Sequence, residues 1–435
     1  MTTVAFATLG CKVNQVETEQ IKEDFYRRGY QEVDFQEKAD VYVINTCTVT
    51  HVSDRKSRAV IRRAIRTNPE AFVVVTGCMA QADAKDTAAI EGIGLLVGNG
   101  IKQDVAALTE KAMGKRAEGL KIEHPEITID MKPRRILYRA HHQRTRAFIK
   151  VQDGCESFCS YCIVPYSRGP MRSKLPEDVL EEIRQLLRLG YREIVLTGIH
   201  VGYYGAELPG WNLLRLLQTI LAEIPGDYRL RLGSIEVLGF PLELAELAAE
   251  DARLCPHYHI PLQSGSDKVL KEMNRRYGRD TFREIVEKIA EKSELTAFTS
   301  DVMVGFPGET DADFEDTRSL LAELPFVDLH VFKYSQRPGT PAAARKDQVS
   351  EDVRQARSNV LLQLAEEKKH AFLEKCIGRT LRVLAERRIG ENLWLGLTDH
   401  YAEVQLESDA EIQGQFVQVQ MLARKDGMLL GKIAG

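Results

Sequence analysis

Long apolar runs are missing from this chain of 435 residues: none approaches the roughly 18 consecutive apolar positions that a membrane-spanning helix needs. The first ten residues carry neither the basic region nor the apolar core of a secretory leader. A dominant charge is missing too. The formal net charge is −4, so composition gives no bulk sign of a nucleic-acid partner, which has to be argued from local features. These absences predict a cytoplasmic chain with no membrane association. The length allows roughly three domains of about 150 residues each, and a hydrophobic fraction of 44% supplies a large core. There are eight cysteines, at 11, 47, 78, 155, 159, 162, 255 and 376. In a long chain of this type, thiols stay reduced and serve metals or catalysis more often than a disulfide framework.

The first 115 residues alternate short apolar runs with helix-like segments. Strands are expected over 3–9, 41–44, 72–75 and 95–97, and helices over 15–28 and 53–67. That alternation predicts a parallel sheet with helical crossovers. Cys11, Cys47 and Cys78 each follow the end of a strand, one strand–helix repeat apart. Ligands of open parallel sheets sit beyond the carboxyl ends of the strands, so the three thiols are expected at one sheet edge. A shared metal site is favoured over three buried structural thiols.

Between 116 and 140 the pattern loosens and reads as a linker. From 131 to 150 there are seven Lys or Arg residues and no acid. A second alternating block spans 141–371, with strands over 147–151, 193–196, 228–232, 257–261, 297–304 and 329–332. Helices separate them over 177–189, 213–224, 242–250, 268–273, 280–292 and 313–324, and a long charged helix covers 351–375. Six strand–helix units predict an incomplete (β/α)6 barrel rather than a closed eightfold one. The tail, 372–435, reads as strands over 378–386, 394–398, 402–407 and 415–422, consistent with a small antiparallel barrel of the oligonucleotide-binding type. Its 8 basic and 9 acidic residues give that reading no electrostatic support.

Cys155, Cys159 and Cys162 fall in a loop just after the first strand of this second block. Thiolates are soft ligands suited to iron–sulfur clusters, and a four-iron cluster held by three of them keeps one iron open. A structural zinc normally wants four ligands, and the nearest additional candidates, His141 and His142, lie upstream at loose spacing. The segment Gly154-Cys155-Glu156-Ser157-Phe158-Cys159-Ser160-Tyr161-Cys162 resembles the radical S-adenosylmethionine (SAM) signature. Further blocks resemble the methylthiotransferases of that superfamily. They are Thr8-Leu9-Gly10-Cys11-Lys12-Val13-Asn14-Gln15, Asn45-Thr46-Cys47, Gly77-Cys78, Tyr166-Ser167-Arg168-Gly169, Leu196-Thr197-Gly198, residues 259–265 and residues 305–309. The tail is similar to the family's RNA-binding TRAM domain.

The resemblance implies two [4Fe-4S] clusters with different work. The one held by Cys155, Cys159 and Cys162 cleaves SAM to a deoxyadenosyl radical. The one held by Cys11, Cys47 and Cys78 carries the sulfur, and a second SAM supplies the methyl group. It further implies a tRNA partner and an external electron donor such as flavodoxin or ferredoxin. Tyr161 would meet the adenine of SAM, and Thr197 and Gly198 its methionine amino group. Ser234 and Glu236 would meet the methionine or ribose, and Gln263 is a cofactor or substrate contact. Gly233 departs from the family, which often has a second serine there. Strand-end packing and turn formation are the competing readings for each of these residues.

Cys255 and Cys376 lack partner spacing and read as buried free thiols. The run Arg55, Lys56, Arg58, Arg62, Arg63 and Arg66 places six bases on one expected helix directly after Cys47. A solvated face is the usual reading of such a run. Its position beside a cysteine makes Arg55, Arg58 and Arg62 candidates for phosphate contact, as are Arg144 and Arg146 of the basic stretch. Two branches of the family modify tRNA adenosine 37, bearing either a threonylcarbamoyl or an isopentenyl group, and a third modifies a ribosomal-protein aspartate. Gly10-Cys11-Lys12-Val13-Asn14-Gln15 is most similar to the threonylcarbamoyladenosine branch. A different class, an iron–sulfur electron-transfer or RNA-binding protein without turnover, is separated from an enzyme by anaerobic SAM cleavage.

Overall fold

The computed structural model describes residues 1–115, 119–138 and 145–434. The amino-terminal unit runs β1 (Thr3–Thr8), α1 (Lys12–Arg27), β2 (Gln31–Glu32), β3 (Val41–Thr46), α2 (His51–Thr67), β4 (Phe72–Gly77), α3 (Cys78–Ala82), α4 (Ala84–Ala88), β5 (Ile93–Val97), α5 (Val105–Met113) and β6 (Lys121–Glu123). Its strands form one parallel sheet in the order β2-β1-β3-β4-β5-β6. β3 and β4 are buried at every position, which fits their continuous apolar runs: a parallel strand covered on both faces has no wet side to alternate toward. Ile21 and Phe25 of α1 and Val105 of α5 cover one face, and Ile61 and Ala64 of α2 cover the other. α2 starts earlier than its apolar pattern indicates because the Thr50 hydroxyl accepts the Ser53 N–H and caps it.

The 116–140 stretch, read as a linker, carries β6, which pairs with the edge strand β5. Farther along, Ile136 and Tyr138 enter the core of the second unit. Apolar surface at these positions pulls the segment onto the fold.

The second unit runs β7 (Arg146–Asp153), α6 (Val164–Arg168), β8 (Arg172–Ser173), α7 (Pro176–Arg188), β9 (Glu193–Gly198), α8 (Leu213–Glu223), β10 (Arg229–Leu232), α9 (Glu243–Glu250), β11 (His257–His259), α10 (Asp267–Glu272), α11 (Arg279–Ala290), β12 (Ala297–Val304), α12 (Asp311–Glu323) and β13 (Phe326–Lys333). The sheets β10-β9-β7-β8 and β11-β12-β13 are joined by single bridges, Leu230 to Leu254 and Ser234 to His259. The result is an incomplete barrel of six parallel strands plus the antiparallel β8. α13 (Glu351–Cys376) packs along β13 and leads to the tail.

The tail is a closed barrel of β14 (Thr380–Arg388), β15 (Leu393–Thr398), β16 (Glu403–Glu407), β17 (Phe416–Lys425) and β18 (Met428–Ile433). Its fifth strand, β18, was not expected. The signal for it is Asp426-Gly427, both at positive φ (+50° and +72°), the two-residue hairpin turn between β17 and β18.

The tail is welded to the second unit. Leu295, Ala297 and Val327 share one core with Val383, Trp394 and Met421. At the amino ends of the barrel strands, Glu193 accepts from Arg229 and Arg231, whose guanidiniums go on to Asp399 and to the Thr398 carbonyl. Tyr401 stacks on His257. Burial alone would push the Glu193 carboxyl up, but Arg231 and Arg229 outweigh it and hold it at about 2. An unfolded glutamate titrates near ~4.3. The folded value lies below the unfolded one, so the stabilisation is complete above about pH 4.3 and is lost as pH falls toward 2. The difference corresponds to about 3 kcal/mol. Guanidinium denaturation of wild type and Glu193→Gln at a series of pH values from neutral down to 2 checks this. Wild type is expected to lose its excess stability in that acid window, where a variant profile parallel to wild type would assign the loss to other carboxylates.

Candidate active site between two cysteine triplets

Cys11, Cys47 and Cys78 lie beyond the carboxyl ends of β1, β3 and β4, three adjacent strands held level by the pairings Thr8–Asn45 and Thr46–Gly77. Cys11 is the exposed N-cap residue of α1, and Cys47 and Cys78 are buried. Gly10 is required here: at φ +93°, a Cβ on it would sit 2.8 Å from the Cys47 sulfur. Asn14 fastens the loops, its amide donating to the carbonyls of Leu9 (2.8 Å) and Thr46 (3.0 Å). Asn45 in turn donates to the Asn14 carbonyl at 2.9 Å. The Ser57 hydroxyl of α2 donates to the Cys47 carbonyl and accepts its N–H. Burial pushes the Cys47 thiol up, the Val49 N–H opposes this, and the neighbouring Cys78 and Cys11 thiols raise it further. Three soft donors at one sheet edge, with Cys11 and Cys78 both near enough to act on Cys47, fit a shared metal group.

Cys155, Cys159 and Cys162 occupy the loop after β7. At Gly154, φ +77°, a Cβ would lie 1.9 Å from the Pro170 carbonyl oxygen, so the chain can cross itself there only without a side chain. The loop is pinned by Ser160 N–H to Met273 O (3.0 Å), Ala342 N–H to Ser160 O (2.8 Å) and Asn274 Nδ2 to Phe158 O (3.0 Å). Backbone N–H groups point at two of its sulfurs, Ser157 to Cys155 at 3.5 Å and Val164 to Cys162 at 3.4 Å. Burial pushes the Cys162 thiol up to about 12. Burial also raises Cys159, against the lowering effect of Arg275. A metal takes such thiols as thiolates and displaces their protons.

The other expected contacts gather at the same end of the barrel. Tyr161 and Glu236 are joined by Arg275, which donates to the Tyr161 hydroxyl at 2.7 Å and to Glu236 at 2.6 Å. Glu236 also takes His200, and although burial opposes ionisation, His200 and Arg275 hold its carboxyl at about 2. Thr197 and Gly198 close β9, with Gly198 against Gln152. Ser234 bridges to His259. A Cβ at Gly233 would come 3.2 Å from the Leu196 carbonyl, so a serine there would be tight. Gln263, at φ +67°, is locked by Gln263 N–H to Asp301 O and Met303 N–H to Gln263 O, both 2.8 Å. A non-glycine residue in that conformation carries backbone strain that its surroundings have to offset.

Two basic candidates are placed elsewhere. Arg58 is committed to Asp54 and to Asp83 (2.7 Å). Arg146 is paired with Glu386 of the tail at 2.6 Å. Arg55 and Arg62 are exposed, with no ion pair among the described residues, and Arg144 lies outside the described residues. Sequence reasoning missed Arg275 and His200, and it missed Asp301 with His259 and His330 at 3.2 Å each. None has a local spacing signal, because their partners lie on other strands.

α3, which begins at Cys78, packs on α6, which follows Cys162. The Asn99 amide reaches the Cys78 sulfur at 3.7 Å and the Ser167 carbonyl of α6 at 2.7 Å. On the other side of Cys47, Arg337 donates to the Thr48 hydroxyl at 2.6 Å.

Residues 149–321 match the radical SAM superfamily, and residues 3–98 match a family described as uncharacterized protein family UPF0004. In fold the chain is similar to the radical SAM methyltransferase TsrM of Kitasatospora setae, at a TM-score of 0.62 and 14% identity, over 90% of this chain and 79% of that one. It is 41% identical to the threonylcarbamoyladenosine tRNA methylthiotransferase MtaB of Bacillus subtilis, over 97% of this chain and 94% of the relative. It is 33% identical to the tRNA-2-methylthio-N(6)-dimethylallyladenosine synthase of Maricaulis maris, over 98% of this chain and 96% of the relative. The incomplete barrel with its cysteine loop is that of a radical SAM enzyme, which implies SAM and a [4Fe-4S] cluster. Three thiols, two of them with N–H groups directed at their sulfurs, fit such a cluster. Within the superfamily, the chain belongs to the methylthiotransferases. No helix among the described residues is long and apolar enough to cross a membrane.

Proposed function

We propose that this enzyme methylthiolates carbon 2 of N6-threonylcarbamoyladenosine at position 37 of tRNA, using two [4Fe-4S] clusters and two SAM molecules. The observation that carries the reading is the packing of α3, which starts at Cys78, against α6, which follows Cys162, with each triplet at the carboxyl edge of its own parallel strands. The near-full-length identity of 41% to an enzyme named for threonylcarbamoyladenosine supports the choice of nucleoside. The clusters and SAM, when bound, supply the radical, the sulfur and the methyl group.

What the chain supplies is placement. Cys155, Cys159 and Cys162 are the ligands at the radical-forming site. Tyr161, Thr197, Gly198, Ser234, Glu236 and Gln263 surround the SAM position. Cys11, Cys47 and Cys78 hold the sulfur-carrying group. The target base must leave its loop to bring carbon 2 to the two triplets. Arg55 and Arg62, exposed on the helix that follows Cys47, are the phosphate contacts, and the tail barrel is a further RNA surface. A small one-electron carrier such as flavodoxin or ferredoxin delivers the electrons.

Mass analysis of tRNA nucleosides from a strain lacking the gene tests the substrate. The methylthiolated threonylcarbamoyladenosine is expected to vanish while its unthiolated precursor accumulates. Loss of the methylthio group from isopentenyladenosine instead would move the enzyme to the other tRNA branch.

A further inference from the structure

A buried ionic seam lies between the two triplets, and the reaction as described leaves its charge unexplained. Glu17 of α1 accepts from Lys102 at 2.6 Å, Lys150 at 2.7 Å and Arg168 at 2.9 Å. Asp153, at the end of β7, accepts from Lys150 and Arg168, both at 2.9 Å, with Arg172 at 3.6 Å. Arg168 also donates to the Asn14 side chain at 2.6 Å. Every member is buried, Arg168 to 1% exposure. Asn14, Glu17 and Lys102 come from the amino-terminal unit and the rest from the barrel, so the seam spans both.

The charges do not balance. Four cations, Lys102, Lys150, Arg168 and Arg172, face two carboxylates, Glu17 and Asp153, an excess of two positive charges. Buried charge without a counter-charge is strongly unfavourable. The missing negative charge lies in one direction. Cys78 is close enough to both Arg168 and Lys102 to interact with their charges, and Cys11 is close enough to Arg168. Asn99 adds an N–H toward the Cys78 sulfur.

We infer that Lys102 and Arg168, held in place by Glu17 and Asp153, form a cationic bed that raises the reduction potential of the cluster held by Cys11, Cys47 and Cys78. The inference rests on the proposal that this triplet binds a cluster. One-electron reduction adds one negative charge to that group. Fixed positive charge on buried side chains beside the triplet favours the added charge. The four residues are positioning residues: they act through the cluster and touch no reacting atom.

The test uses the full-length chain with Cys155, Cys159 and Cys162 all changed to alanine, leaving only the first triplet. Reconstituted anaerobically, it is assayed for iron and sulfide and then titrated with dithionite under EPR. Glu17→Gln, which removes an anion, is expected to shift the midpoint to more positive potential. Lys102→Met, which removes a cation, is expected to shift it to more negative potential, and Lys102→Arg to restore it. Opposite shifts of this kind would not come from a loosened domain contact. A cluster whose midpoint is the same in all variants overturns the inference while leaving the two-cluster reading intact. A chain that takes up no iron and sulfide at all overturns both. Where Glu17→Gln does not fold, the Lys102 pair alone decides, since methionine and arginine there must separate.

Discussion

Cys155→Ala is expected to abolish both deoxyadenosine formation and methylthiolation. The side chain is partly exposed, and among the described residues its sulfur accepts only the Ser157 N–H. Its removal therefore takes away a ligand without opening a cavity. The loop keeps its anchors through Ser160, Asn274 and the Cys155 N–H to Gly169 O bond at 3.1 Å. The fold should survive while Cys159 and Cys162 are left with too few thiolates to hold a cluster. Anaerobic assay of deoxyadenosine, with iron content measured alongside, checks this. The matched control is Cys376→Ala, a lone thiol in the tail core, where deoxyadenosine formation should stay at the wild-type level. Cleavage of SAM by a folded Cys155→Ala protein would remove this cysteine from the ligand set.

Much of this site is legible in the sequence because parallel sheets impose a phase. A cysteine placed one strand–helix repeat after another must return to the same sheet edge, so Cys11, Cys47 and Cys78 can be brought together on paper. The same reasoning places Thr197 and Gln263 at one end of the barrel. What cannot be read is pairing across long sequence separation. Arg168 meets Glu17 across 151 residues and Asn14 across 154, and nothing local marks either pair. The run 55–66 reads as bases without an acid, but the fold brings Asp83 against Arg58 from 25 residues away. Arg146 finds Glu386 from 240 residues away. In contrast, β18 carries a local signal that the strand reading passed over: Asp426-Gly427 between two apolar runs is a hairpin turn. By its resemblance to the TRAM domain, the tail is expected to be a separate RNA-binding module. The shared core of Leu295, Ala297 and Val327 with Trp394 and Met421 shows that cutting it away would open the barrel. The proposed RNA surface of the tail is therefore better tested by surface substitutions than by truncation.

Cys11→Ala is expected to do what Cys155→Ala cannot: keep SAM cleavage and stop sulfur transfer. Cys11 is exposed at the start of α1, and its side chain makes no capping hydrogen bond. The helix it precedes is held by Val16, Ile21 and Phe25 in the cores and by Glu17 in the ionic seam. Removing the thiol should disturb neither the sheet nor the packing against β7. The Cys155 loop takes its hydrogen-bonded anchors from α10 and the residues just after it, the 342 region and Gly169, and among the described residues none of these bonds involves Cys11. The radical-forming site is therefore built without the first triplet. On the proposal that the first triplet would hold the sulfur-carrying group, Cys47 and Cys78 alone would be too few ligands to keep it, and sulfur transfer would stop. Deoxyadenosine should form at a rate within a few-fold of wild type, while methylthiolated nucleoside falls to background. Both are read from one reaction by mass analysis. A folded Cys11→Ala protein that keeps the Cys155 cluster yet no longer cleaves SAM would show that the two triplets are one functional unit, and the division of labour proposed here would be wrong.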